Sequence, residues 1–237
     1  MAEPVDLTIS VGQREPGSFR LIATLAVAGM LSGLTLAMAS ELTAPLIEAN
    51  KQRRLRQGVF EVVPGSSAMQ KLVLRDGALV AVDEDEATSE PAIYAAYDEQ
   101  ARFLGYALVG EGPGFQDTIR VLFGLDHATR RVIGMRILQS RETPGLGDKI
   151  YKDAAFVANF ESLSIDPEIV VVTDGRDADN EVDAITGATI SSKAVVRNIN
   201  EAHRQWLDAL GAPGSAPPLE TPGSSTSDSG GPSEGGP

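Results

Sequence analysis

Residues 183–210 read DAITGATISSKAVVRNINEAHRQWLDAL, a loop rich in hydroxyl groups that runs directly into the clearest helix of the chain. The spacing predicts a helix over 192–210, because its apolar residues recur at steps of four, three, four and four and therefore share one face: Val195, Ile199, Ala202, Trp206 and Leu210. Gly211 supplies a stop signal for this helix. We expect Trp206 to lie in the core.

The loop before the helix carries four hydroxyl groups, on Thr186, Thr189, Ser191 and Ser192, and Gly187 and Ala188 leave its backbone uncrowded. Ser191 or Ser192 is expected to cap the helix. A helix N-terminus offers unpaired N–H groups and a positive dipole end, which favour a phosphate. The alternative is a plain cap with its hydroxyls turned to water.

A second unusual segment is RETPGLGDK, residues 141–149. Its proline and two glycines favour a loop with exposed backbone N–H groups, which can hold an anion or lie against a planar ring. The alternative is a tight turn after a strand that ends near Ser140.

The rest of the central region predicts strands first and helices late. A hairpin is expected over 70–82 around Asp76-Gly77, and a buried helix over 152–163. Further strands are predicted at 92–97, 103–110, 117–124, 131–140 and 168–173. This order favours an α+β fold rather than strictly alternating α/β.

The two ends of the chain differ from this centre. Residues 21–40 carry no charge, and twenty helical residues span about 30 Å, so we predict a single transmembrane helix over 19–41 rather than a cleaved signal peptide. A short N-terminal segment (1–18) precedes it, and a charged helical connector (42–58) leads to one domain (59–211). The last 26 residues include 18 Gly, Pro or Ser, which predicts a disordered tail over 212–237.

Composition excludes several functions. A net charge of −13 argues against a nucleic-acid partner. The absence of cysteine excludes iron–sulfur ligation, a thiolate zinc site and a catalytic thiol in this chain. The two histidines, His127 in a turn and His203 on the polar side of the last helix, are too far apart in sequence to indicate a metal site.

The two unusual segments together resemble the FMN-binding domain family. Asp183 to Thr189 matches the pattern Asp-x-x-(Ser/Thr)-Gly-Ala-Thr that a flavin transferase recognises in that family, and Glu142 to Gly147 resembles its ETPGLG loop. Gly114-Phe115-Gln116-Asp117 stands where members often have Gly-Tyr-x-Gly, so the second glycine is replaced. A single span followed by such a domain resembles the G subunit of Rnf-type electron transport complexes.

The resemblance implies FMN linked by a phosphoester to Thr189, after transfer from FAD by the flavin transferase. It implies a cofactor-binding role for the rest of both motifs: Asp183, Thr186, Gly187, Ala188, Ser191, Ser192, Glu142, Thr143, Gly145, Leu146 and Gly147. No catalytic residue or complete active site is expected in this chain alone. It would relay electrons within an ion-translocating oxidoreductase whose membrane and iron–sulfur subunits handle ferredoxin and NAD.

The resemblance also implies a single-pass protein of the bacterial inner membrane, with the FMN domain on the periplasmic side. Charge alone predicts the reverse, because Lys51, Arg53, Arg54 and Arg56 follow the span. We favour the family topology, since the transferase works outside. The alternatives are the C subunit of a sodium-translocating NADH:quinone reductase, a non-redox membrane-anchored binding module, and a stand-alone extracellular flavoprotein.

Overall fold

The structure is a computed structural model that describes residues 17–84, 86, 90–214 and 217. The predicted N-terminal segment as far as residue 16, and all of the predicted tail except 212–214 and 217, lie outside the described residues. The chain divides into two compact units, residues 1–52 and 53–237.

The described part of the first unit belongs to one long helix, α1, which runs over Ser18–Val62. Among the described residues, α1 is the one helix long and apolar enough to cross a membrane. The hydroxyls of Thr24, Thr35 and Thr43 donate to the carbonyl oxygens four residues earlier, at 2.7–2.8 Å. These three threonine hydroxyls are therefore satisfied within the helix, as a lipid environment requires.

The second unit is built on an antiparallel sheet of seven strands in the spatial order β2-β1-β3-β4-β5-β6-β7. The strands are β1 (Ala68–Arg75), β2 (Ala78–Val82), β3 (Ala92–Tyr97), β4 (Phe103–Pro113), β5 (Thr118–Asp126), β6 (Arg131–Gln139) and β7 (Leu163–Ser164). The expected hairpin is present: Asp76 and Gly77 both have positive φ, as a two-residue type I′ turn requires.

Helix α4, Thr189–Leu210, covers one face of this sheet and lies over β4 and β5. Glycines in β4 permit the close approach, since a Cβ at Gly112 would lie 2.5 Å from Asn198 Oδ1. Asn198 is buried, and its Nδ2 donates to the carbonyl of Ile119 at 3.1 Å. The opposite face is covered by Val59, Val62 and Val63, which form a second small core. The α+β fold class is confirmed.

The predicted helix over 152–163 is wrong, because the chain forms two short helices, α2 (Lys149–Lys152) and α3 (Ala154–Ala158). Asp153 separates them: its extended backbone ends α2, and its Oδ1 accepts from the N–H groups of Ala155 and Phe156 to begin α3. The apolar residues that suggested a single helix still face the core, since Phe156 and Phe160 are both buried.

A small parallel sheet of two strands, β8 (Val170–Val172) and β9 (Glu181–Asp183), leads into the hydroxyl-rich loop. The sequence predicted β8 but not β9. Asn200 of α4 holds the start of β8: its Oδ1 accepts from the N–H of Ile169 at 3.2 Å and its Nδ2 donates to the Ile169 carbonyl at 2.9 Å. The Asn200 side chain thus satisfies both backbone groups of Ile169, as a neighbouring strand would do.

His127 lies in a turn and Trp206 lies in the core at 3% exposure, both as predicted, whereas His203 differs from expectation. His203 is buried rather than on a polar face, and burial lowers its pKa below the ordinary 6.5. His127 is also buried, with Nε2 2.8 Å from the carbonyl oxygen of Ala212. Farther on, Tyr97 Oη donates to the carbonyl of Pro217 at 3.0 Å. The chain beyond α4 is therefore bound to the domain at these two points.

Candidate functional site

Both unusual segments fold into the same kind of turn. In the ETPGLG loop the N–H of Leu146 donates to the carbonyl of Thr143, and Gly145 has φ of +80°. In the second loop Ala188 donates to Ile185, and Gly187 has φ of +82°. A positive φ at the third of four residues is the requirement of a type II turn, which explains each glycine.

The two turns face each other. A Cβ at Gly187 would lie 3.7 Å from Leu146 Cδ2, so the Leu146 side chain lies against the second loop. Leu146 is still half exposed, and the side chains of Ile190, in the first turn of α4, and Phe115, in the 114–117 loop, are more than half exposed. The fold therefore brings the two predicted segments together and leaves apolar surface uncovered beside them.

Thr189 is the first residue of α4, which begins three residues earlier than predicted. The expected cap is wrong: Ala188 occupies that position, and no side chain caps the helix. Within the part of the chain that the structure describes, the Thr189 and Thr186 hydroxyls make no hydrogen bond. Thr186 is exposed and Thr189 is half-buried at the positive end of α4.

The serines that follow are turned inward instead. Ser192 is fully buried; its Oγ accepts from the N–H of Ile185 at 3.1 Å and donates to the carbonyl of Ala188 at 3.1 Å. These bonds close the second loop onto the helix. Ser191 is also buried, and its Oγ donates to Glu142 Oε2 at 2.6 Å. Both serines therefore hold the loops in place through buried hydrogen bonds.

Glu142 connects three segments. Its Oε1 accepts from the N–H groups of Phe115 and Gln116 at 2.9 and 3.1 Å, while its Oε2 holds Ser191. Thr143 Oγ1 adds a bond of 3.0 Å to Gln116 Oε1. The 114–117 loop closes although Asp117 replaces the family's second glycine, because the N–H of Gly114 donates to the carbonyl of Asp117.

The end of the ETPGLG loop is held by Asp148, which sequence reasoning did not single out. Its carboxylate accepts from the N–H of Gly145 at 2.8 Å and from Lys152 Nζ at 2.5 Å. The hydrogen bond from Lys152 is the main cause that lowers the pKa of Asp148, and in return the pKa of Lys152 is raised. A carboxylate three residues after a turn glycine is the signal that could have found it.

Asp183 and Thr186 line a cavity of about 590 Å³, a size typical of small-molecule sites. Its wall includes the cationic residues Lys149 and Arg176 as well as Asn159. Asn159 positions Asp183, because its Oδ1 accepts from the Asp183 N–H at 3.3 Å. Among the described residues no group of three or more histidine or acidic side chains is placed to hold a metal ion.

Chemically, this arrangement offers a hydroxyl at a helix N-terminus that no described residue hydrogen-bonds, and an apolar surface beside it. Gly187 and Gly147 keep side chains out of the space between the loops, since a Cβ at Gly147 would meet Glu142 and Ser191 within 3.0 Å. These features fit a phosphorylated cofactor with a flat apolar ring.

Comparison with known proteins agrees with this geometry. The profile of the FMN-binding domain matches residues 114–204, which include both loops and most of α4. Over 180 residues the chain is 31% identical to the G subunit of the ion-translocating oxidoreductase complex of Vibrio vulnificus, covering 74% of this chain and 83% of that protein. It is 30% identical over 188 residues to the G subunit of the Na⁺-translocating ferredoxin:NAD⁺ oxidoreductase complex of Acetobacterium woodii, with 77% and 88% covered.

Two solved structures share the fold. The C subunit of the Na⁺-translocating NADH-quinone reductase from Parabacteroides distasonis superposes with a TM-score of 0.58 at 19% identity, covering 70% of this chain and 96% of that one. NqrC of Shewanella oneidensis gives a TM-score of 0.56 at 14% identity, with 68% and 98% covered. The predicted family is confirmed by the sequence relatives: the chain belongs to the family of G subunits of ion-translocating oxidoreductase complexes.

Proposed function

We propose that this chain carries FMN on Thr189 through a phosphoester and relays electrons within an ion-translocating oxidoreductase complex. The observation that supports it most is the Thr189 hydroxyl, which lies at the first residue of α4 and inside a family motif and has no hydrogen-bond partner among the described residues. Backbone N–H groups at this helix end stabilise the negative charge of a linking phosphate.

The remaining motif residues would hold the cofactor in different ways. Leu146 and Ile190 offer apolar surface for the ring, while Gly187 and Gly145 supply turns without side chains. Three buried residues would hold the loops in place through their hydrogen bonds: Glu142, Ser191 and Ser192. When bound, FMN supplies reversible electron uptake, and the protein tunes it through packing, hydrogen bonds and charge.

Attachment would be carried out by a flavin transferase with FAD as donor. Thr189 Oγ1 forms a bond to the phosphorus of the FMN half, the bond between the two phosphates breaks, and AMP leaves. The hydroxyl proton passes to a base of the transferase. The exposed Thr186-Gly187 turn is accessible for this reaction.

The test is co-expression of the full chain with an active flavin transferase, followed by intact mass and fluorescence of the denatured band. We expect a gain of one FMN less one water, mapped to the Thr189 peptide. Thr189→Ala should lose this gain and Thr173→Ala, a threonine outside the motif, should keep it. Covalent FMN in Thr189→Ala at the wild-type level would refute the assignment.

The partners that we propose are the membrane and iron–sulfur subunits of the complex. Because the chain has no cysteine, it cannot ligate an iron–sulfur cluster with thiolates, so any such cluster in the complex belongs to other subunits. The relative from A. woodii is named for electron transfer between ferredoxin and NAD⁺ coupled to Na⁺ translocation. Affinity purification from native membranes should recover a cysteine-rich ferredoxin-like subunit; recovery of a quinone reductase instead would favour that alternative.

We also propose that the chain crosses the bacterial inner membrane once and places residues 53–237 on the periplasmic side. The basic cluster after the span argues against this orientation, and we follow the family topology because the flavin transferase works outside the membrane. Since the chain has no cysteine, a single Glu99→Cys variant offers a unique label site. A membrane-impermeant maleimide should label it in intact spheroplasts but leave Ser10→Cys unlabelled, and the reverse pattern would refute this topology.

A further inference from the structure

The Glu142 carboxylate is buried, with 6% of the residue exposed, and it accepts three hydrogen bonds. Two come from the backbone of Phe115 and Gln116, and the third comes from the Ser191 hydroxyl in the first turn of α4. It therefore joins the 114–117 loop and the ETPGLG loop to the first turn of α4, the turn that also contains Thr189. Their separation along the chain, 27 and 49 residues from Glu142, makes this a purely tertiary connection.

Among the residues that the structure describes, no cationic side chain pairs with the Glu142 carboxylate. None of the salt bridges among the described residues includes Glu142, and its three donors are neutral N–H and O–H groups. Buried carboxylates are ordinarily paired with a cation, because an isolated charge is costly to remove from water. The compensation here comes from hydrogen bonds and from the positive end of α4.

The surrounding backbone leaves space for this carboxylate. A Cβ at Gly147 would lie 2.7 Å from Glu142 Oε2, and a Cβ at Gly114 would collide with Oε1. Two glycines, one in the ETPGLG loop and one in the 114–117 loop, thus line the carboxylate on two sides. The two glycines therefore make room for the side-chain head of Glu142.

We propose that Glu142 is a positioning residue that holds these three segments around the flavin and that its unneutralised charge lowers the flavin's reduction potential. The inference rests on the proposed function. Reduction adds negative charge to a cofactor tethered two residues from Ser191, whose hydroxyl touches the carboxylate. In a site of low effective dielectric, two negative charges at close range repel each other strongly, so the oxidised form is favoured.

Glu142→Gln separates the charge from the contacts. The amide oxygen can still accept from Phe115 and Gln116, and the amide nitrogen can donate to Ser191 Oγ, which then acts as an acceptor. Glu142→Ala removes both charge and contacts. Glu99→Gln is the matched control, because this exposed carboxylate follows β3 at the opposite end of the sheet from the 114–117 loop.

The experiment uses the full-length chain loaded by co-expression with the transferase. We measure covalent FMN by mass, the midpoint potential by spectroelectrochemistry and flavin orientation by visible circular dichroism. Glu142→Gln should keep FMN and the dichroism band, and favour the reduced form at least tenfold, which is about 30 mV for two electrons. Glu142→Ala should also lose the dichroism band, and Glu99→Gln should match the wild type.

A wild-type potential in FMN-loaded Glu142→Gln would overturn this inference and leave the proposed function intact. A wild-type chain without covalent FMN would overturn both. If Glu142→Gln does not accumulate, the pair Glu142→Asp and Glu142→Asn repeats the comparison with side chains that are one methylene group shorter. The Asn variant should then have the higher potential, and equal potentials in this pair would overturn the inference.

Discussion

Gly145 and Gly147 lie two residues apart in the ETPGLG loop, yet they are glycines for different physical reasons. Gly145 has φ of +80°, and nothing lies within 4 Å of a Cβ built on it. Gly147 has no positive φ, but its Cβ would lie 2.7 Å from Glu142 Oε2 and 2.8 Å from Glu142 Cβ. Substitution at Gly145 should therefore cost conformational strain, whereas substitution at Gly147 should cost steric overlap.

The magnitudes follow from these distances. A Cβ at Gly147 is 0.6–0.7 Å closer to Glu142 than the 3.4 Å at which ordinary contact begins. Overpacking of this kind costs about 1–3 kcal/mol, and Gly147→Asn should cost more than Gly147→Ala because it adds atoms to occupied space. A left-handed alanine at Gly145 costs about 1–2 kcal/mol, and asparagine costs less because it tolerates that conformation.

The assay is thermal unfolding of the full chain in detergent, followed by circular dichroism. Each kcal/mol should lower Tm by roughly 2–4 °C for a domain of this size. The decisive result is the order of the variants rather than any single shift: asparagine should be milder than alanine at Gly145 and harsher than alanine at Gly147. The same order at both positions would refute the distinction drawn from the structure.

Three further predictions concern stability. Burial lowers the pKa of His203 below the ordinary value of 6.5, so at a pH above 6.5 the neutral side chain contributes stability to the fold. This contribution should disappear as the pH falls through the folded pKa. Tm measured from pH 7 to 5 should therefore decline less in His203→Leu than in the wild type. Asn200→Leu should lower the free energy of unfolding by about 1–3 kcal/mol in denaturant titration, since both backbone groups of Ile169 lose their partner, and an unchanged midpoint would contradict the pairing. The lowered pKa of Asp148 makes the protein lose stability at the most acidic pH, below the usual carboxyl range, and Asp148→Asn should remove this loss. If the variant and the wild type lose stability equally at acidic pH, the Asp148–Lys152 pair is not the source of the loss.

Local patterns predicted the regular elements well. The apolar spacing of α4 and the Asp76-Gly77 turn each depend on neighbours within a few residues, so the sequence contains the whole signal. The start of α4 was misplaced because capping preferences favour serine. In the structure Ser192 instead uses its hydroxyl inside the first turn, bonded to Ala188 and Ile185.

Tertiary connections were beyond the reach of the sequence. Strand β9 has only three residues, too few for its alternation to stand out in the sequence, so its pairing with β8 identifies it. The Glu142–Ser191 bond joins positions 49 residues apart, and His203 is polar by type but buried by packing. Asp153 fits either a helix interior or a cap, and its own hydrogen bonds decide between them.

The hydrogen bonds that His127 and Tyr97 make to the carbonyl oxygens of Ala212 and Pro217 have a practical consequence for electrochemistry. Tyr97 pairs with Phe103 at the beginning of β4, whereas the loop that contacts Glu142 follows Pro113 at the end of the same strand. At about 3.4 Å per residue these two ends are roughly 30 Å apart. A chain fixed to an electrode by a short linker placed directly after Pro217 would therefore present Thr189 toward solution, where a soluble redox partner can reach it.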